Sequence, residues 1–329
     1  MYNILLAILA IVVGFVLLVK GADFFVDGAS AVAYKLRVPG LIIGMTVVAM
    51  GTSLPELSVS ITSSLAGANT LAISNVVGSN VFNLMVVLGI SALFNPLMVS
   101  KETTRRDFPF SAFTAVLLLL LGFLGMNGIM GDNGMTLGRV DGIAFLVLFV
   151  LFLAFMIKQA IIARAKGEDV VVEGEEDIDK DMPMWKAILL IVLGAVAVKY
   201  GGDFVVNGAV TLASAFGVSQ TLIGLTIVAC GTSLPELATS IAAARKNELD
   251  MAIGNVVGSN IFNILLILGA AASISPVAFI MENMIDIVVL LVFSLIVWLF
   301  CATKKKITRP EGILMLVLYA VYLVYICIR

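Results

Sequence analysis

The sequence predicts an all-α integral membrane protein of ten transmembrane helices, arranged as two inverted five-helix repeats with broken helices at the core. Three observations carry this. Of 329 residues, 61% are hydrophobic and 13% charged, with a mean hydropathy of +1.12, whereas soluble domains carry about 25% charged residues. Apolar stretches long enough to cross a bilayer recur along the whole chain. The segment Gly51-Thr-Ser-Leu-Pro-Glu56-Leu57 returns letter for letter, 180 residues later, as Gly231-Thr-Ser-Leu-Pro-Glu236-Leu237.

About 20 apolar residues span the hydrocarbon core as a helix. This ruler places spans at roughly 3–33, 41–66, 71–94, 107–126, 140–163, 185–212, 220–244, 251–273, 284–302 and 311–328. The first and sixth are long enough to tilt strongly. The N-terminus lacks a basic leader region and an Ala-x-Ala cleavage site, so the first span is expected to be retained. An acidic stretch at 164–184, with Glu168, Asp169 and the run from Glu173 to Asp181, separates a first repeat (1–163) from a second (185–329). It lacks the spacing of an EF-hand calcium loop and reads as a solvated linker.

The basic residues set the orientation. Lys35, Arg37, Lys101, Arg105 and Arg106 fall in the first and third loops, and Lys158, Arg164, Lys166, Lys180 and Lys186 surround the linker. Arg245 and Lys246 follow span seven, and Lys304, Lys305, Lys306 and Arg309 follow span nine. The opposite side has Arg139 and Arg329. The excess of positive charge in cytoplasmic loops then puts the linker in the cytoplasm and both termini outside. The Lys304–Lys306 run reads as a cytoplasmic anchor beside anionic lipids.

The repeat is gapless. Asp23 matches Asp203, Gly44 matches Gly224, Thr46 matches Thr226, and Asn75-Val-Val-Gly-Ser-Asn80 matches Asn255-Val-Val-Gly-Ser-Asn260; 26 of 47 positions between Ile43 and Gly89 are identical to their partners. Five spans per repeat is odd, so the second copy must sit upside down. Inverted repeats with broken helices at mid-membrane are the sequence sign of a secondary transporter.

The repeated motif pairs two costly features. A carboxylate at the centre of a membrane helix costs about 2.5–3.5 kcal/mol, and a proline inside a helix about 3 kcal/mol. Pro55 has no N–H for the carbonyl of Gly51, and a freed carbonyl in lipid needs a substitute partner. A cation can serve. Thr52, Ser53 and Glu56 lie on one side of the break, with the carbonyl of Ala49 able to face the same point. Ala229, Thr232, Ser233 and Glu236 form the matching set. The next span adds a polar stripe, Asn75, Ser79 and Asn83, repeated as Asn255, Ser259 and Asn263. Of these, Ser79, Asn83, Ser259 and Asn263 are expected at the ion site. Asn75, Asn80, Asn255 and Asn260 are expected to brace helices, with Gly78 and Gly258 allowing close contact. Asp23, Asp27 and Asp203 lie near Lys20 and Lys199 and are expected to pair with them or to edge an aqueous vestibule.

All these ligands are oxygens. They suit hard cations such as Na⁺ and Ca²⁺ and not softer transition metals. Ca²⁺ takes about 6–8 oxygens, within reach of two carboxylates plus carbonyls and hydroxyls. The absence of histidine excludes histidine-based triads, HExxH zinc sites and histidine proton relays. Cys230, Cys301 and Cys327 have no CxxC spacing and read as core residues. No cofactor, nucleic-acid partner, obligatory protein partner or enzymatic activity is expected. The partners are the transported ions and the lipid bilayer.

The paired Gly-Thr-Ser-Leu-Pro-Glu and Gly-Ser-Asn-x-Phe-Asn segments resemble the sodium/calcium exchanger family, within the cation/calcium antiporter superfamily. The likeness covers nearly the whole chain and is most specific at 44–89 and 224–269. It implies an inner-membrane antiporter that couples extrusion of one Ca²⁺ to entry of about three Na⁺, with spans one and six sliding across the core in alternating access. It further implies that Glu56 and Glu236 are shared calcium ligands. Thr52, Ser53, Thr232 and Ser233, with the carbonyls of Ala49 and Ala229, would serve both ions. Ser79 and Ser259 would bind flanking Na⁺, and Asn83 and Asn263 would complete the centre. Two departures narrow the resemblance. Some relatives, including potassium-dependent exchangers, carry Asp where this chain has Asn263. Calcium/proton exchangers carry a Gly-Asn-x-x-Glu pattern, whereas here Asn255 is followed by Val256, Val257 and Gly258. The alternatives are a proton-coupled antiporter for Ca²⁺ or another divalent cation, a passive cation channel, and an intramembrane enzyme that would need a base other than histidine.

Overall fold

The computed structural model describes residues 2–66, 69–124, 136–166, 179, 181–218, 227 and 229–328. Most of the expected linker, Gly224, Thr226 and about the first third of the seventh expected span lie outside them. The described chain is helical, in eleven pieces. These are α1 (Tyr2–Leu36), α2 (Gly40–Thr52), α3 (Leu54–Leu65), α4 (Ala72–Phe94), α5 (Thr103–Phe123), α6 (Arg139–Ala165), α7 (Met184–Ala215), α8 (Leu234–Arg245), α9 (Leu249–Ile274), α10 (Met281–Lys304) and α11 (Arg309–Ile328). A short helical turn, Ala229–Gly231, precedes α8. Among the described residues eight helices are long and apolar enough to cross a membrane, and α2 with α3 forms a ninth, bent by 48°.

Burial sorts the helices into shells. The most apolar windows of α4 and α9 are 83% and 78% buried, against 22–33% for the other single-helix spans. The outer helices turn apolar side chains such as Leu5, Leu9, Val150, Leu193, Val292 and Val321 outward. Polar groups collect inside instead, with Glu56, Glu236, Ser79, Ser259, Asn83 and Asn263 fully buried. An apolar rind around a polar centre suits a molecule whose solvent is lipid.

The bend between α2 and α3 falls at Ser53 (φ −81°, ψ 9°), and Ser233 (φ −93°, ψ 8°) repeats it before α8. Sequence reasoning expects Pro55 and Pro235 as mid-helix breakers. The structure places each in the first turn of a new helix, where a missing N–H costs nothing because that group has no intrahelical partner. The helix is therefore two helices meeting end to end, and Glu56 and Glu236 each occupy a first turn, where the positive end of the helix dipole favours an anion.

The ends of α4 and α9 are closed from neighbouring helices. Arg309 Nε donates to Leu93 O (3.0 Å), and Arg139 Nη2 reaches Ile274 O (3.5 Å). Arg139, one of the two basic residues expected on the opposite side, is thus occupied as a helix cap. Two short antiparallel ladders tie the corresponding loops: β1 (Leu97–Met98) pairs with β4 (Lys306–Ile307), and β2 (Thr136–Leu137) with β3 (Val277–Ala278).

Helices α1 and α7 lie against each other along their length. Counted from Ile4, α1 has 33 residues and α7 has 32, about 50 Å at about 1.5 Å per residue against a hydrocarbon core of about 30 Å. Their contact is made by glycines every seven residues: Gly14, Gly21 and Gly28 on one, Gly194, Gly201 and Gly208 on the other. A Cβ at Gly194 would stand 2.7 Å from Gly21 O, at Gly201 2.8 Å from Gly14 O, and at Gly208 2.7 Å from Ala7 O. Partner numbers fall as the others rise, so the helices run antiparallel with backbone against backbone. Near one end, Lys246 at the end of α8 pairs with Asp27 Oδ1 (2.6 Å) and donates to Asp23 O (3.1 Å). Asp27 is thus held by a lysine from another helix rather than by Lys20, whereas Lys199 and Asp203 do pair along α7 at 2.7 Å.

Filling one glycine should be felt here. Gly194→Val is expected to lower the thermal unfolding midpoint in detergent by several degrees, since overpacking costs about 1–3 kcal/mol. Gly40→Ala, whose methyl would meet its nearest atom at 3.6 Å, should leave the midpoint alone. A wild-type midpoint for Gly194→Val would refute the backbone-to-backbone packing.

Candidate cation-binding site

The two breaks face one another. Ser53 Oγ, at the first, donates to Glu236 Oε1 at 3.1 Å, and Ser233 Oγ, at the second, donates to Glu56 Oε1 at 3.1 Å. Each carboxylate is thus steadied by the other repeat. Ser79 Oγ, on α4, also approaches Glu56 Oε1 at 3.5 Å. The second oxygen of each carboxylate, Oε2, is buried with no hydrogen-bond partner among the described residues, as are Thr232 Oγ1, Ser259 Oγ, Asn263 Oδ1 and both amide atoms of Asn83. Among the described residues no lysine or arginine pairs with Glu56 or Glu236. Two buried carboxylates without a cation are strongly unfavourable. Unpartnered oxygens around them are what a cation would complete.

Thr52 sharpens the point. Its hydroxyl lies 3.2 Å from Val48 O, 3.3 Å from Ala49 O and 3.2 Å from Asn255 Oδ1. A hydroxyl has one proton and can serve one of these acceptors at a time, so oxygen lone pairs are in excess here too. Asn255 Nδ2 is spent on Thr239 Oγ1 (3.0 Å), Ser240 Oγ (2.9 Å) and Glu236 O (3.4 Å). Asn75 Nδ2 reaches Ser60 Oγ (3.1 Å) and Glu56 O (3.5 Å) in the same manner. These two amides brace α4 on α3 and α9 on α8, the structural role that the sequence assigns them. Gly258 also does what is expected: a Cβ there would lie 2.7 Å from Met45 Cα, whereas no described atom lies within 4 Å of one at Gly78.

Three stretches around the site wind as π-helix: Gly44–Val48 in α2, Asn83–Val87 in α4 and Asn263–Leu268 in α9. The wider turn frees backbone groups and rotates the following residues, and such bulges recur at functional positions. Two of them begin on the stripe asparagines, Asn83 and Asn263. Ala229 opens the short turn before the second break, in register with Ala49, which opens the last turn before the first.

A cavity of about 190 Å³ reaches this centre, bordered by Pro55, Ser58, Asp203, Thr232 and Pro235, with Lys199 alongside. Asp203 therefore edges this opening. Asp23 borders a second, mainly apolar cavity of about 150 Å³ with Leu234, Ala238 and Arg245. The site has two carboxylates and many neutral oxygens. Among the described residues no group of three or more acidic, cysteine or histidine side chains converges as a metal cage.

Sequence reasoning missed three things: the glycine ladder, the Lys246–Asp27 pair and the bonding of Asn80 described below. The first was available, since Gly14, Gly21 and Gly28 recur at the repeat offset as Gly194, Gly201 and Gly208. The others carry no spacing signal.

Comparison with known proteins shows the family. The family model described as "Sodium/calcium exchanger protein" matches residues 6–158 and 186–328. Inner membrane protein YrbG of Escherichia coli is 38% identical over 300 residues, covering 89% of each chain. Sodium/calcium exchanger MaX1 of Methanosarcina acetivorans is 33% identical, covering 96% of this chain and 97% of its own. A solved structure of the sodium-calcium exchanger NCX_Mj superposes with a TM-score of 0.81 at 32% identity, covering 97% of this chain and 98% of that one. The chain belongs to the sodium/calcium exchanger family, whose members are membrane antiporters and not enzymes.

Proposed function

We propose that this protein exchanges Na⁺ for Ca²⁺ across the cytoplasmic (inner) membrane by alternating access, taking up to about three Na⁺ for each Ca²⁺. The observation that carries this is the pair Glu56 and Glu236, buried, cross-bonded by serines and without a cationic partner. Their Oε2 atoms would be the shared calcium ligands. Thr52, Ser53, Thr232 and Ser233, with the carbonyls of Ala49 and Ala229, would serve both ions. Ser79 and Ser259 would take flanking Na⁺, with Asn83 and Asn263 completing the centre.

The architecture behind it is two inverted five-helix repeats, 1–163 and 185–329, joined by a cytoplasmic linker at 164–184, with both termini outside. The matched breaks, π-helical stretches and terminal ladders in the two halves support that arrangement. In this orientation α7 and α3 run outward past the site, so the cavity beside Asp203 would be the external path. Ion exchange would require α1 and α7 to shift together over the core, for which a smooth glycine contact is suited.

Charge decides the electrical character. Two carboxylates and one Ca²⁺ sum to zero, and the same carboxylates with three Na⁺ would sum to about +1, so exchange is electrogenic, each charge being worth about 2.3 kcal/mol per 100 mV.

The direct test is radioactive calcium uptake into proteoliposomes preloaded with Na⁺ or with K⁺ at matched pH. Uptake with Na⁺ inside and little with K⁺ is expected. Uptake driven equally well by a pH gradient without Na⁺ would replace sodium with protons, and flux needing no counter-ion would mean a channel. Glu56→Gln and Glu236→Gln are each expected to abolish calcium uptake while the protein stays monodisperse; normal exchange by either would remove that residue from the site.

The cross-bonds make a finer prediction. Ser53→Ala and Ser233→Ala each delete one hydroxyl from the opposite repeat's carboxylate. Hydrogen bonds to charged groups contribute about 1.5–3 kcal/mol, so half-saturation by Ca²⁺ should rise about tenfold or more in each, by similar factors. A change in only one of them would show that the bonds do not act as a matched pair.

A further inference from the structure

Asn80 and Asn260 meet where α4 and α9 cross, and their bonding fixes which way each amide faces. Asn80 Nδ2 donates to Asn260 O at 3.1 Å, and Asn260 Nδ2 donates to Asn80 O at 3.2 Å. A backbone carbonyl only accepts, so each side chain must present nitrogen there. The oxygen of Asn80 therefore faces the other way, and it accepts a bond of 2.8 Å from Asn263 Nδ2. That orients Asn263 in turn. Its nitrogen is spent on Asn80, and its oxygen, Oδ1, is the atom left buried without a partner among the described residues.

The other half does not repeat this. Among the described residues Asn260 Oδ1 has no partner, and neither Nδ2 nor Oδ1 of Asn83 has one. Four residues identical under the 180-residue offset are bonded asymmetrically, with Asn263 clamped and Asn83 not.

We propose that Asn80 is a positioning residue that holds the Asn263 amide so that position 263 offers the cation a neutral carbonyl oxygen and disfavours a carboxylate there. This rests on Asn263 being a ligand, as proposed above. The clamp works by complementarity. An aspartate at 263 would set oxygen against Asn80 Oδ1 and could be received only by turning the Asn80 amide, which would break its bond to Asn260 O. The central charge stays with the two glutamates, matched to one Ca²⁺.

The test reads Ca²⁺ binding to the purified full-length protein by calorimetry, alongside half-saturation of uptake. Asn80→Ala is expected to weaken Ca²⁺ binding about tenfold, the loss of about one hydrogen bond. Because Asn80 acts through Asn263, the double variant Asn80→Ala/Asn263→Ala should bind no more weakly than Asn263→Ala alone. Asn260→Ala, its repeat mate, should change affinity less than about twofold, since it orients no ligand. Asn263→Asp should bind poorly in the native background and improve when Asn80→Ala is added. Additive losses in the double variant, or equal losses from Asn80→Ala and Asn260→Ala, would overturn the clamp and leave Asn80 a plain helix brace. If Asn80→Ala does not purify as a monodisperse protein, Asn80→Ser, which leaves a smaller void and is too short to bridge both partners, is read against the same outcomes. A native protein that binds Ca²⁺ without exchanging it would refute the proposed function and leave this inference standing; one that binds no Ca²⁺ would overturn both.

Discussion

The centre of this molecule depends on two buried carboxylates that no basic residue pairs with among the described residues. Removing such a group from water costs several kcal/mol even after the protein relaxes. The fold meets part of that cost locally, by starting a helix at each glutamate so that its N-terminal dipole and one serine hydroxyl favour the anion. The serine comes from the other repeat in both cases. Neither half contains a finished site, and the two glutamates are stabilised only when the halves are docked. What remains unsatisfied among the described residues, the two Oε2 atoms and a shell of lone pairs, is what the cations of the proposed function would complete. A site completed from within would have nothing to release.

The break was legible in the sequence because its parts are rare in lipid. Glycine, proline and glutamate within six residues, twice, at one offset, leave few other readings, and the helices follow that offset closely: Leu54–Leu65 against Leu234–Arg245, Asn69–Phe82 against Leu249–Phe262. The local chemistry of the break was less legible. Proline suggested a damaged helix, whereas the chain stops at Ser53 and restarts, which turns Pro55 from a defect into a favourable first-turn residue. Span ends were also misjudged where charge is stabilised by pairing. The fourth expected span begins at 107, but α5 begins at Thr103, because Arg106 pairs with Asp107 at 2.7 Å and stacks on Phe155, so these charges are accommodated within the helix.

Side-chain orientation was not legible at all. Asn75, Asn80 and Asn83 are one residue type within nine positions, yet one bonds a neighbouring helix, one bonds a second amide and one has no side-chain bond among the described residues. Spacing gives the face a residue shares; it does not give the partner waiting there. For the same reason the stripe of glycines on α1 and α7 has no meaning until the two helices are known to face each other. It then explains how the two longest described helices approach backbone to backbone, with side chains such as Val205, Ile191 and Ile11 seated against glycines of the other helix.

The places where the repeat fails are therefore as informative as the places where it holds. Two identical inverted halves would make a carrier whose inward-open and outward-open forms are mirror exchanges of one another and equal in energy. Each departure from identity lifts that equality. Asp27 and Lys246 tie α1 to the end of α8, while the positions 180 residues away hold Asn207 and Ala66, which cannot form an ion pair. A partly exposed pair of this kind contributes about 0.2–1 kcal/mol, and about 1 kcal/mol is a factor of about five in a two-state population. Few such contacts are needed to set which face rests open, and they need not touch the ion. Under the proposed function the repeat would supply the site, and its imperfections would set the resting conformation, while the ion gradients set the direction of exchange.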